Sequence, residues 1–134
     1  MAIQVVADTH AFIWYLYNDP RLSETAGSLF DAIVKSGHQV GVSAITLVEM
    51  VYLSEKGKIP VDSLERSIAV LKNTGSPFVE IPIGFGMIDA LQRIERSIVP
   101  DMPDRIIAAS ALYLGVPVAS RDNKIRLSVV ETIW

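Results

Sequence analysis

Apolar positions along this chain come in two kinds of run. Short, nearly unbroken runs bounded by polar residues or glycine read as buried strands: Ile3–Ala7, Gln39–Ser43, Phe78–Ile81, Val116–Ser120 and Val129–Ile133. Longer stretches repeat their apolar residues at helical spacing. These predict helices over Ser23–Lys35, Ile45–Lys56, Asp62–Asn73, Gly84–Ser97 and Met102–Leu114. Ser23 and Asp62 stand where N-caps are expected, and Gly37, Gly57, Gly75 and Gly115 stand near helix ends. Strands that alternate with helices imply an α/β fold, with a parallel sheet covered on both faces. The expected architecture is a three-layer α/β/α sandwich around four or five parallel strands, joined by right-handed crossovers.

Size and composition narrow this picture. At 134 residues the chain suits one domain, 1–134, with a sizeable core. Half of its residues are hydrophobic and only 20% are charged, which excludes a disordered chain. The apolar surplus points to a partner surface. It is seen in "FIWYLY" and in Leu47, Met50 and Val51, so a homodimer is expected. No apolar run is long enough to span a membrane, and no export signal opens the chain. With no cysteine, disulfides and thiolate metal sites are excluded. A cytoplasmic location is expected. The net charge of −3 argues against a polyanionic substrate unless bound cations reverse the local sign.

Acids that interrupt apolar structure carry the chemistry. Asp8 ends the first strand, and Asp122 follows "VPVAS". In open α/β sheets ligands gather beyond the carboxyl ends of the strands, so both acids are drawn to one rim. Each also suits a plain helix cap or turn. Glu49 lies in "ITLVEMVYL", with Ile45 and Leu53 one turn away on its own face. A carboxylate in such a stripe wants a buried salt bridge or a metal. Asp104 opens a helix whose face continues through Ala108, Ala111 and Gly115, small residues that allow close packing on the sheet. Asp101 beside it reads as a cap. Four carboxylates at one rim would raise one another's pKa unless a cation neutralised them. Mg²⁺ or Mn²⁺ suits such an oxygen-rich set and can activate water against a phosphodiester.

The segments "VVADTHAFIW", "SAITLVEM" and "PDRIIAASALYLGVPVASRD" occur in an order that resembles a PIN domain, and within that family the VapC-like toxin ribonucleases of toxin–antitoxin pairs. The resemblance covers essentially the whole chain. It implies a divalent-metal-dependent endoribonuclease with an acidic quartet at Asp8, Glu49, Asp104 and Asp122. Asp8, Asp104 and Asp122 would ligate Mg²⁺ or Mn²⁺, and Glu49 would hold a water on that metal or a second metal. Thr9 and Ser120 match hydroxyl positions that orient carboxylates, and Arg105 matches the arginine after the third acid. Implied partners are RNA, a second copy of the chain, and an antitoxin whose arginine enters the acidic cleft. A catalytically silent module that binds RNA or protein is the alternative. A phosphatase with Asp8 as nucleophile fits poorly, because His10 stands where that pattern has a second aspartate. His10, Trp14, Tyr15, Lys56, Lys58, Arg121, Lys124 and Arg126 each have a substrate-contacting reading, but helix start, core or solvated surface explains them as well.

Overall fold

A computed structural model of the chain describes residues 2–134. Five parallel strands, β1 (Ile3–Ala7), β2 (Gln39–Ser43), β3 (Phe78–Ile81), β4 (Val118–Ala119) and β5 (Thr132–Ile133), form one sheet in the order β3-β2-β1-β4-β5. Seven helices accompany them among the described residues: α1 (Thr9–Leu16), α2 (Glu24–Ser36), α3 (Ala44–Glu55), α4 (Ser63–Lys72), α5 (Phe85–Gln92), α6 (Met102–Leu114) and α7 (Asn123–Arg126).

The two faces of the sheet follow from the period-two alternation of strand side chains. Val5, Ala7, Val40, Val42 and Phe78 pack with Phe12, Trp14, Phe30 and Ile33 of α1 and α2. Val6, Ile81 and Val118 face the other way, onto Met87, Ile107, Ala108 and Ala111 of α5 and α6. Helix α3 leaves β2 without a loop and serves both layers, sending Ile45 to the second core and Met50 to the first. The result is the α/β/α sandwich expected from the alternation of strands and helices.

Four sequence readings need correction. The stretch after Asp8 forms α1, and its Ala11, Phe12, Ile13 and Trp14 are buried in the chain's own core. The "FIWYLY" surplus is therefore largely spent internally. Met50 is likewise fully buried, so it presents no partner face. The helix expected over Gly84–Ser97 stops at Gln92, and turns lead from there into α6. Asp62 precedes α4 but makes no capping bond: its carboxylate accepts from the Tyr17 hydroxyl at 2.6 Å and ties the start of α4 to α1. Gly37, Gly57 and Gly115 do end helices in left-handed geometry, at φ of 80°, 67° and 69°. At Gly57 the amide of Lys58 reaches the Leu53 carbonyl at 2.9 Å and that of Gly57 reaches Ser54 at 3.0 Å. This paired closure of the last turn directs Lys58 and Ile59 back towards α1.

Candidate functional site

From β1 the chain builds outward through β2 and β3 on one side, while β4 and β5 lie on the other. The order reverses between β1 and β4, and crevices of open sheets form beyond the strand ends at such a reversal. Asp8 follows β1 and Ser120 to Asp122 follow β4, so both segments leave the sheet at that point. Each aspartate also caps a helix. Asp8 Oδ1 accepts from the Ala11 amide at 2.8 Å, and Asp122 Oδ1 accepts from Lys124 and Ile125 at 2.7 and 3.2 Å. The capping and cleft readings are thus compatible: the cap uses one carboxylate oxygen and fixes where the group stands.

Two further acids arrive from helices. Glu49 projects from the middle of α3, and its Oε1 accepts from the Thr9 hydroxyl at 2.5 Å. Thr9 also shares a hydrogen bond with Thr46 at 3.1 Å, so the two buried threonines form a rail between α1 and α3. Asp104 lies in the first turn of α6, and Asp101 caps that helix through the Asp104 amide at 3.3 Å. Buried Ala108 and Ala111 on the same helix keep this end close to the sheet. All five acids, Asp8, Glu49, Asp101, Asp104 and Asp122, line one cavity of about 300 Å³.

Burial and crowding act on Asp104, Asp8 and Glu49. Burial, followed by the charges of Asp122, Asp101 and Glu49 and a hydrogen bond to Asp122, raises the Asp104 carboxyl to about 8. Burial also raises Asp8, against the opposing hydrogen bonds of Ser120 and Ala11. Glu49 is raised by burial too, and the Thr9 hydroxyl holds it down in part. A cavity whose burial and neighbouring carboxylates raise Asp104 this far is a site short of positive charge. Its hard oxygen donors suit Mg²⁺ or Mn²⁺. Among the described residues no three acids converge closely enough to form a coordination sphere as they stand. The donor chemistry fits a divalent cation, and binding one would require the side chains to move inward.

The other wall of the cavity is aromatic and basic. His10, Trp14, Arg121 and Trp134 line it. The Trp14 ring is only 4% exposed, with Arg121 and Arg21 guanidinium groups 4.8 and 5.0 Å from its centre and Trp134 5.9 Å away. A ring so covered has no free face for a nucleobase. Tyr15 is also committed elsewhere, with its hydroxyl on Asp31 and its ring edge-on to Phe30. Ser120 is buried beside the cavity, where it bonds Asp8 and accepts from the Asp122 amide at 3.0 Å. Arg105 does not line the cavity. Its Nε donates to the Ile94 carbonyl at 2.8 Å, anchoring the start of α6 to the turns after α5. Lys56, Lys124 and Arg126 do not line it either.

Sequence reasoning missed Thr46, Trp134 and the cavity-facing role of Asp101. Thr46 stands three residues before Glu49, a spacing that shares a helix face and so carried a signal. Nothing in the local sequence around Trp134 points back to Trp14, because that contact depends on the pairing of β4 with β5.

The fold is similar to that of several solved structures. They include a toxin–antitoxin complex from Klebsiella pneumoniae, at 20% identity and TM-score 0.69 over 98% of this chain and 97% of that one. VapBC2 from Rickettsia felis, bound to a DNA fragment from its promoter, matches at 13% identity and TM-score 0.71 over 98% and 97%. FitAcB from Neisseria gonorrhoeae matches at 22% identity and TM-score 0.63 over 98% and 96%. No curated protein matches the sequence. The PIN domain model matches residues 5–128, nearly the full length, a span within which Asp8, Glu49, Asp104 and Asp122 lie. The chain therefore belongs to the PIN domain family.

Proposed function

We propose that this protein is a Mg²⁺- or Mn²⁺-dependent endoribonuclease and the toxin of a cytoplasmic toxin–antitoxin pair. The observation that carries the reading is the meeting of Asp8, Glu49, Asp104 and Asp122, from four separate segments, in one cavity at the sheet's reversal point. The PIN family supports nuclease chemistry, and the toxin–antitoxin complexes of similar fold support the biological setting.

In this reading Asp8, Asp104 and Asp122 hold the metal, with Glu49 completing the acidic set. A bound divalent cation supplies a nucleophilic water and charge neutralisation at the scissile phosphate. The chain's own contribution is positioning. The caps at Asp8 and Asp122 fix two carboxylates, and Thr9 fixes the third through its 2.5 Å bond to Glu49. Ser120 steadies Asp8. Arg105 acts at one remove, by holding the first turn of α6 that carries Asp104.

Partners follow from the same reading: RNA as substrate, an antitoxin over the cleft, and a second copy of the chain. For the last, the exposed apolar set Ile83, Phe85, Ile88 and Tyr113 offers a face, and Val51 of the α3 surface that the sequence suggested is also exposed although Met50 is not. One experiment separates this reading from the silent-module alternative. Purified protein is incubated with total RNA in Mg²⁺, in Mn²⁺ and in chelator. Cleavage that appears with metal and stops with chelator is expected. Intact RNA in both metals, with the metals shown to bind, would leave only the silent module.

A further inference from the structure

A second cavity, of about 270 Å³, adjoins the acidic one and shares His10 and Trp14 with it. Its remaining wall includes Tyr17, Asp19, Arg21, Lys58 and Ile59. The two cavities meet at His10 and Trp14 as one groove, lined by five acids in the first part and by Arg21, Lys58 and a single acid, Asp19, in the second. The cations along it are not equivalent. Arg21 is paired with Asp19 through two contacts, at 3.1 and 2.7 Å, and this pair is the only salt bridge among the described residues. Its charge is spent. Arg121 and Lys58 have no carboxylate partner. Arg121 is held in place by stacking on Trp14, and Lys58 by the closed turn at Gly57.

We propose that a single-stranded RNA leaves the acidic cavity across the His10–Trp14 wall, with Arg121 holding an inner backbone phosphate and Lys58 an outer one. This rests on the nuclease reading above. A phosphodiester placed among the acids has its next phosphates one nucleotide away, and those phosphates need cations. Of the unpaired cations, Arg121 lines the acidic cavity itself and Lys58 lines the adjoining one. The closed face of Trp14 makes the contact electrostatic and indifferent to base identity. The lining of the second cavity holds two cations, Arg21 and Lys58, against one acid, Asp19, so a strand meets net positive charge there in a chain whose total is −3.

The test is binding, measured apart from cleavage. A fluorescein-labelled, mixed-sequence single-stranded RNA is titrated in Mg²⁺ against Asp104→Asn protein, which removes turnover, and its anisotropy is followed at several salt concentrations. Lys58→Ala and Arg121→Ala are added singly, and Lys35→Ala, at the far end of α2, serves as control. Each groove variant should weaken binding several-fold and lower the slope of log K against log salt by about 0.7, one phosphate contact's share. The control should change neither. If Lys58→Ala behaves as Lys35→Ala does, the proposed path is wrong, even where the wild-type protein cleaves RNA. If the groove variants lose binding and the wild type does not cleave, the path stands and the nuclease reading fails. A labelled polyglutamate peptide that binds as tightly, with the same dependence on Lys58, would overturn the proposal in favour of a peptide dock.

Discussion

Asp104 is the residue under the greatest electrostatic pressure, and its titration has a sign that can be checked. Its ordinary value is 3.8, and in the folded protein it is raised to about 8. Between those values the folded chain keeps a proton that the unfolded chain has lost. Stability therefore falls as pH rises through that window, in contrast to an ordinary ion-paired carboxylate. Metal-free protein should melt at a lower temperature at pH 8 than at pH 5, and saturating Mg²⁺ at pH 8 should recover much of the loss. An equal or higher melting temperature at pH 8 without metal would contradict the crowding. Asp104→Asn removes the charge at its source. The variant should melt above the wild type at pH 8 in chelator while losing cleavage, and Asp8→Asn should also lose cleavage. Full cleavage by either variant would remove it from the site. Thr9 works one step back from the chemistry. Thr9→Val keeps the buried shape but leaves Glu49 without its donor, and should reduce cleavage about ten- to a hundredfold, with Thr9→Ser restoring it. Comparing the three proteins in single-turnover assays, with circular dichroism to verify the fold, decides the point.

Elements differed in how plainly their residues announced them. The strands at Ile3–Ala7, Gln39–Ser43 and Phe78–Ile81 match their predicted bounds, because each is a mostly apolar run that ends at a polar residue, Asp8 or Ser43, or before Pro82. Helices α2, α3 and α6 were legible from spacing and from glycines that need positive φ. Helix α1 was not. Its buried residues crowd together as Ala11, Phe12, Ile13 and Trp14, without the gaps that mark a one-sided helix. Only its position between the sheet and α3 explains why so many sides are covered. The candidate site was legible at the level of single residues: Asp8, Glu49, Asp104 and Asp122 were nominated by their interruption of apolar structure. Which of their neighbours turn toward the cavity was not, since Arg105 is drawn away by Ile94 and Trp134 is brought in against Trp14, contacts distant in sequence. Packing between strands supplies an element-scale test. A Cβ on Gly41 would stand 2.5 Å from Ile81 Cδ1 and 3.1 Å from Ile3 Cγ2. Gly41→Ala should cost about 1–3 kcal/mol by overpacking, and Ile81→Val in the same chain should recover part of it. Urea unfolding of the two single variants and the double variant measures the coupling. Simple additivity would mean that the β2–β3 contact relaxes without strain.

At the scale of the whole molecule, the surface exposes apolar residues in several places, among them the start of α5 and the outer face of α3. Phe85 is 97% exposed, and Ile83, Ile88 and Tyr113 are also exposed. Such a cluster on a small domain favours association. If the proposed homodimer uses this face, sedimentation at micromolar concentration will give roughly twice 14.7 kDa, and Phe85→Glu will return the protein to that mass. A monomeric wild type would dismiss the dimer. A dimer unaffected by Phe85→Glu would move its interface elsewhere.

The chain has only two tryptophans, Trp14 and Trp134, and both line the acidic cavity with their rings 5.9 Å apart. Indole emission responds to the charges and quenchers around it, and here no distant indole dilutes the signal. The protein thus carries a built-in optical reporter of its own cavity. Metal entry, protonation of the acids and arrival of a nucleic-acid strand should each change the intensity or colour of the intrinsic fluorescence, with no dye attached. Trp134→Phe leaves a single emitter beside Arg121, so the same titrations repeated on that variant would assign each change to one wall of the groove.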